Sequence, residues 1–360
     1  MTELDRAFDA VPAPIYTHHE RHGETVHRSA PESIRRELAA LQVRAGDRVL
    51  EIGTGSGYSG ALLAHLCCPD GQVTSIDISD ELVRRAAAIH AERGVTSVDC
   101  HVGDGLAGYP AAAPFHRAVS WCAPPRLPRA WTQQVVNGGR IVACLPITAL
   151  PSTTLIATIT VAAGKPRIEA LAGGGYAQST PVAVDDALTV PGRWVDYCDR
   201  QPDPSWIGIC WRSADDAQHT GARSALGQLL HPGYTDTYRQ MEPHWRSWYT
   251  WTSALGDPQL SLVSLRNEIR GLGHTTPSSA AVILTDGRVI ADRPDSPSLR
   301  SLRTWLQRWE HVGRPAPESF ARTLVPHDCP DLAGWDLQVG HGSVTTDRQP
   351  PRRVDEPRRP

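Results

Sequence analysis

The chain has 360 residues, more than a single domain usually holds, so two domains are expected. Its 36 Lys and Arg against 39 Asp and Glu leave a formal charge of -3, too little for a general attraction to nucleic acid or to an acidic membrane surface. Cys67, Cys68, Cys100, Cys122, Cys144, Cys198, Cys210 and Cys329 form no CxxC pair, no basic-then-apolar leader opens the chain, and no apolar run is long enough to span a bilayer; buried thiols in a soluble, cytoplasmic protein are expected.

Residues 1–28 are polar and read as irregular, with Pro12, Pro14 and the cluster His18, His19, His22 and His27. Four histidines in ten residues suggest a metal. The spacing His-His-Glu-x-His is not the His-Glu-x-x-His of zinc proteases, however, and no Cys or carboxylate set nearby in sequence completes a site, so no metal is expected. Ser29-Ala30-Pro31-Glu32 opens a helix over 31–41, with Pro at an early helical position and Ser29 as a candidate cap. Val49-Leu50-Glu51-Ile52-Gly53-Thr54-Gly55-Ser56-Gly57-Tyr58 then gives an apolar strand, a Gly-rich turn and the approach to a helix over 61–66. Glycines let the backbone pass close to a ligand, and free amides at a helix start favour polar ligand groups. The spacing is GxGxG with Glu51 before it, whereas dinucleotide sites use GxGxxG; this favours S-adenosylmethionine over NAD.

A second strand over 72–76 ends in Asp77, twenty residues past Gly57, where an acid can accept hydrogen bonds from a ribose diol or cap the next helix. That helix opens at Asp80 with Leu82, Val83, Ala86, Ala87 and His90 on its apolar side. A third strand over 98–102 leads into Gly103-Asp104-Gly105, where Asp104 could accept from an adenine amino group or only shape the turn. Strands over 115–121 and 138–145, a helix over 128–136 between them, and a hairpin of 155–161 with 167–171 complete a doubly wound α/β sheet to about Pro181.

Residues 190–345 hold nine of the eleven tryptophans, too aromatic for a linker. A strand over 205–212, a hairpin over 280–291 turning at Asp286-Gly287, and Leu299, Leu302, Trp305, Leu306 and Trp309 on one helical face predict a second, α+β domain. Its tryptophans form a core or, in part, a peptide-binding surface. The Pro- and Arg-rich residues 346–360 read as a disordered tail.

The order Ser29-Ala30-Pro31, the Gly loop with its following Tyr58, Gly103-Asp104-Gly105, Ala123-Pro124-Pro125 and Gly138-Gly139 resembles the protein-L-isoaspartate O-methyltransferases over residues 14–182. The resemblance implies a class I S-adenosylmethionine-dependent methyltransferase domain (Rossmann-like doubly wound sheet, 29–185), with S-adenosylhomocysteine as product and a peptide Asp or isoaspartate carboxylate as acceptor. By match, Ser29 would meet the acceptor; Ala30 follows it within the same motif. Glu51, Gly53, Thr54, Gly55, Ser56, Gly57 and Tyr58 would take the methionine part, Asp77 and Ile78 the ribose, and Asp104 and Gly105, in the turn after Gly103, the adenine.

The segment 1–28 would lie on the substrate side. There the chain departs from the family: His18 stands where an acid is usual, and His27-Arg28 precede Ser29. With the added domain over 190–345, this resembles the branch associated with ribosomally made modified peptides such as lanthipeptides and graspetides. In that branch one Asp of a constrained precursor peptide is methylated and closes to an aspartimide. Repair of isoaspartyl protein and non-catalytic binding through a cofactor fold are the alternatives. Methylation of RNA or of a small molecule fits less well, because Ala123-Pro124-Pro125-Arg126 lacks the amide and aromatic of an amine-methylating site.

Overall fold

The computed structural model describes residues 1–183, 190–200, 203–213, 215–216, 218–328 and 331–340; the tail expected over 346–360 lies outside them. The first 28 residues are more regular than expected. They form α1 (Glu3–Ala10), α2 (Ala13–Thr17) and a small hairpin of β1 (His18–His19) and β2 (Gly23–Glu24). Thr2 and Asp5 make a reciprocal capping box that starts α1, and Ala7, with Leu4 and Phe8, packs it onto the first domain's core. Next come α3 (Pro31–Leu41), β3 (Arg48–Ile52), α4 (Tyr58–Cys67), β4 (Gln72–Asp77), α5 (Asp80–Glu92), β5 (Val98–Val102) and β6 (Phe115–Ser120). β7 (Leu127–Pro128), α6 (Arg129–Gln134), β8 (Val135–Pro146), β9 (Thr154–Ala162) and β10 (Lys165–Gly173) follow. α6 is shorter than the helix expected over 128–136, because β8 already begins at the β-branched pair Val135-Val136.

These strands build one sheet in the order β10-β9-β8-β6-β3-β4-β5. The pairs β3 with β4, β3 with β6, β4 with β5 and β6 with β8 are parallel, while β9 and β10 fold back antiparallel. Side chains alternate across the sheet, so Val49, Val73 and Val119 join one core under α3 and α4, while Leu50, Ile76 and Ala118 join the other. Helices on both faces and a central parallel stretch give the doubly wound architecture expected. Between β3 and β6 the strand order reverses, and ligands of such sheets bind at the carboxyl ends of the strands at this point.

The second domain is built from β11 (Tyr197–Asp199), β12 (Ser205–Ile209), α7 (Thr220–Leu230), β13 (Tyr234–Thr237), α8 (Met241–Ala254), β14 (Leu260–Leu265), β15 (Ile269–Thr276), β16 (Ser279–Leu284), β17 (Arg288–Ala291) and α9 (Pro297–His311). Its strands form an antiparallel sheet in the order β11-β12-β14-β15-β16-β17-β13. Period-2 alternation again splits two cores: Ile207, Val263 and Val282 face α7, and Trp206, Leu262 and Ile283 face α8 and α9. Trp206, Trp248, Trp251, Trp305 and Trp309 are core residues, whereas Trp194, Trp211, Trp245 and Trp335 are half-buried.

The two domains are not independent. β18 (Ala321–His327) and β19 (Gly334–Gly340) pair with each other, and β19 pairs with β7, so a three-stranded sheet joins a strand of the first domain to two that follow the second. Leu337 enters the core around Trp131, and Leu150 of the first domain enters the core around Trp248. Among the described residues no helix is long and apolar enough to cross a membrane, and all the described cysteines are free.

Candidate active site

A cavity of about 680 Å³ opens at the switch point. Its floor is the loop from Gly53 to Ser56, and one wall is Asp77-Ile78 with Asp104-Gly105. The segment from His22 to Ala30 covers it, and Trp121-Cys122 with Gly175 to Thr180 closes the far side. Its size suits a nucleoside-containing cofactor together with a reacting side chain.

The floor needs its glycines. Gly53 and Gly55 have φ of +92° and +51°, and a Cβ on Gly55 would sit 2.7 Å from the carbonyl oxygen of His27 in the covering segment. Gly105 is also forced: a Cβ there would lie 2.4 Å from Ile52 Cγ2. Arg85 holds the cover to the floor, donating from its three guanidinium nitrogens to the carbonyl oxygens of His22 (3.2 Å), Gly23 (2.8 Å) and Ser56 (3.2 Å). Sequence reading passed over Arg85. The signal was there, since it falls on the face of α5 that buries Leu82, Ala86 and Ile89.

Asp77 receives the amide N–H of Gly55 on Oδ2 and that of Ser79 on Oδ1, both at 3.0 Å. It does not cap α5, because Ser79 does. Asp104 accepts the amide of Leu106 at 2.9 Å, so it shapes its turn and also lines the cavity. Both acids keep lone pairs for further donors. Ser29 lines the cavity half-buried, and it too is released from capping: the N-cap of α3 is Ala30, with no side-chain hydrogen bond. Among the described residues nothing engages the Ser29 hydroxyl.

Four expected contacts are corrected. Glu51 does not reach the cavity; it is completely buried beneath the loop and accepts hydrogen bonds from Ser59, from Ser75 at 2.6 Å and from the indole N–H of Trp121 at 2.9 Å. Burial pushes its carboxyl above the ordinary range, and those three donors pull the other way. Tyr58 turns into the core against Phe8 and Tyr16 as the first residue of α4. Gly57 faces Ala86 and His90, and Gly103 faces Ile76, so neither lines the cavity.

Behind Gly57 and Gly60, His90 is 2% exposed, and neither ring nitrogen has a partner among the described residues. Burial lowers its pKa from 6.5 to about 4. The unfolded chain therefore takes up this proton first as pH falls. The contribution to stability is complete above pH 6.5 and is lost between pH 6.5 and about 4, on the order of 3 kcal/mol. In urea unfolding followed at pH 7.5 and 5, His90→Leu should flatten the pH dependence; an unchanged slope would mean His90 is solvated in the folded state.

The histidine cluster meets a carboxylate after all, from a residue 70 positions away. Glu92 at the end of α5 lies 3.3 Å from His19 Nε2 and 3.1 Å from His22 Nε2, and the ligand-type atoms of the three lie within 4.8 Å of one another. Arg21 takes the same carboxylate at 2.6 Å. The amides of Arg21 and His22 donate to His19 Nδ1, which leaves the proton on Nε2 to point at Glu92. The group thus has the hydrogen-bond pattern of a latch between the covering hairpin and α5.

Residues 4–164 match the family described as protein-L-isoaspartate(D-aspartate) O-methyltransferase. The protein-L-isoaspartate O-methyltransferase of Opitutus terrae is 37% identical over 165 residues, 46% of this chain and 66% of its own length. Protein-L-isoaspartate O-methyltransferase 1 of Rhodopseudomonas palustris is 38% identical over 156 residues, 43% and 59% of the two chains. The chain thus spans about three fifths of the length of the curated relatives it matches. A solved protein-L-isoaspartate O-methyltransferase structure aligns with 94% of this chain and 95% of its own at 16% identity, with a TM-score of 0.41. By sequence, residues 4–164 are similar to the protein-L-isoaspartate O-methyltransferases, and the sheet they form has the class I methyltransferase fold.

Proposed function

We propose that the chain is an S-adenosylmethionine-dependent carboxyl O-methyltransferase acting on the free carboxylate of isoaspartyl residues in peptides or proteins. The observation that carries this reading is a Gly-lined cavity facing a serine with no structural duty: Gly53 and Gly55 let the floor pass close against Trp121 and the cover, both line the cavity, and the Ser29 hydroxyl is unengaged beside it. The residues suit the cofactor. Asp77 and Asp104 stand at strand ends with spare acceptor capacity for a ribose and an adenine, and the loop amides suit a methionine carboxylate.

When bound, the cofactor supplies a methyl group on a positively charged sulfur. With the group bound, an acceptor carboxylate lone pair would form the O–CH₃ bond as the C–S bond broke, giving a methyl ester and a neutral thioether with no net change of charge. No general base is required, because the carboxylate is already ionised. What this chain's residues contribute is placement: Ser29 donates to the second carboxylate oxygen, and the cover held by Arg85 excludes water.

The test is methyl transfer from labelled S-adenosylmethionine to an isoaspartyl peptide, read as a base-labile ester. Ser29→Ala should lower that rate by about one to three orders of magnitude with donor affinity unchanged. Unaltered rates would remove Ser29 from the site, and no transfer by the parent chain would overturn the reading.

A second reading has its own support. The acceptor wall is buttressed from the second domain: Arg193 donates through Nη2 to the Ala123 carbonyl oxygen at 2.8 Å and through its amide to Gln178 Oε1 at 2.7 Å. With His27-Arg28 ahead of Ser29, this favours a specialised acceptor, one Asp of a constrained, ribosomally made precursor peptide, carried through its methyl ester to an aspartimide. Faster methylation of such a precursor than of a generic isoaspartyl peptide would select it. Equal or better turnover of the generic peptide would leave the repair-type activity.

A further inference from the structure

Trp121 follows β6 directly, at the switch point. Its amide donates to the Ile52 carbonyl oxygen at 2.9 Å, and its Cβ lies 3.4 Å from where a Cβ on Gly53 would be. The side chain is 9% exposed and lines the cavity. Its one polar atom, the indole N–H, is turned inward onto Glu51 Oε1 at 2.9 Å. A tryptophan can donate only through that atom. What its side chain can offer a ligand is therefore the ring and no hydrogen bond, and Tyr176 meets that ring edge to face with centroids 5.9 Å apart. The acceptor of the indole proton is a buried carboxylate whose hydrogen-bond partners, Ser59, Ser75 and Trp121, are all neutral.

The charge around the cavity has the same sense. Glu24, Asp77, Glu81 and Asp104 line it against Arg28 and Arg85. Glu24 pairs with Arg28, which also meets His18, so Asp77, Glu81 and Asp104 remain against the one cation Arg85, whose N–H groups are turned onto three carbonyl oxygens. An aromatic ring in a cavity lined by Asp77, Glu81 and Asp104, with its one N–H turned away onto the Glu51 carboxyl group, attracts a cation. The donor and its demethylated product differ in one respect such a surface can read: the sulfur carries a positive charge before transfer and none after.

Resting on the cofactor assignment above, we propose that Trp121, positioned by Glu51, reads the charge of the cofactor's sulfur and makes the site favour S-adenosylmethionine over S-adenosylhomocysteine. The pair thus weakens retention of the spent cofactor.

Calorimetric titration of the full chain with each compound in turn tests this. Trp121→Leu should lower affinity for S-adenosylmethionine by about 3- to 30-fold, the range of a desolvated cation–π contact, and for S-adenosylhomocysteine by about twofold at most. Glu51→Gln should shift the ratio of the two affinities in the same direction, and Trp121→Phe, which keeps a ring but loses the donor, should fall between. Thermal melts without ligand check that each variant is folded. Equal losses for both compounds would make Trp121 and Glu51 a matter of cavity shape and overturn the inference, as would no change in either. Failure of the parent chain to bind both compounds would instead overturn the cofactor assignment, and this inference with it.

Discussion

Gly55→Val is expected to abolish S-adenosylmethionine binding, an affinity loss above about 100-fold, while the chain stays folded. Two costs combine at this residue. Its φ of +51° is a conformation a β-branched side chain strongly resists, on the order of 1–2 kcal/mol. The new Cβ would also meet the His27 carbonyl oxygen at 2.7 Å, forcing the cover away from the floor. Gly94→Val separates the two effects, since Gly94 has φ of +67° with nothing within 4 Å of an added Cβ. That control should lose some stability and keep its affinity. Calorimetry reads the first quantity and far-UV circular dichroism the second; a Gly55→Val chain that still binds normally would rule out the loop as the cofactor cradle.

Trp309→Ala should destabilise the second domain by about 3–5 kcal/mol, as for truncation of a large ring in a packed core. The ring is fully buried, meets Trp248 edge to face with centroids 5.4 Å apart, and donates its N–H to Ser247 Oγ at 2.9 Å. Truncation leaves a cavity and removes one donor from the Ser247 hydroxyl, which keeps its own bond to the Pro315 carbonyl oxygen at 2.8 Å. Urea unfolding followed by tryptophan fluorescence should show the loss. A change below about 1 kcal/mol would mean that the aromatic cluster does not hold the domain together.

Much of the first sheet could be read from residue order, because each strand carries its own apolar run and each turn its own glycine or acid. The helix over 31–41, the strand over 98–102 and the turn at Asp286-Gly287 appear where periodicity put them. The site was legible where function acts through backbone, as at Gly53 and Gly55, and less so where it depends on which way a side chain turns. Glu51 sits between exposed-looking motif residues in sequence, yet strand alternation and the overlying α4 bury it completely. Ser29 looked like a helix cap because a serine next to Pro31 usually is one, but the chain turns one residue later, at Ala30. Glu92 could not be assigned to the histidines from spacing, since only the packing of α5 against the hairpin brings them together. The α1 helix was missed although the Thr2/Asp5 capping box signals its start and Leu4, Ala7 and Phe8 share one face, because eight residues give too short a stripe to stand out in a polar segment.

The pairing of β19 with β7 has a consequence for how the polypeptide is made. Gly334 and Trp335 lie against Pro128 and Leu127, and Leu337 shares the core of Trp131, some two hundred residues upstream. Synthesis runs from the N-terminus, so the first domain leaves the ribosome with one flank open. That flank stays without its covering strand while the whole tryptophan-rich domain is translated, and it is sealed only when β19 emerges.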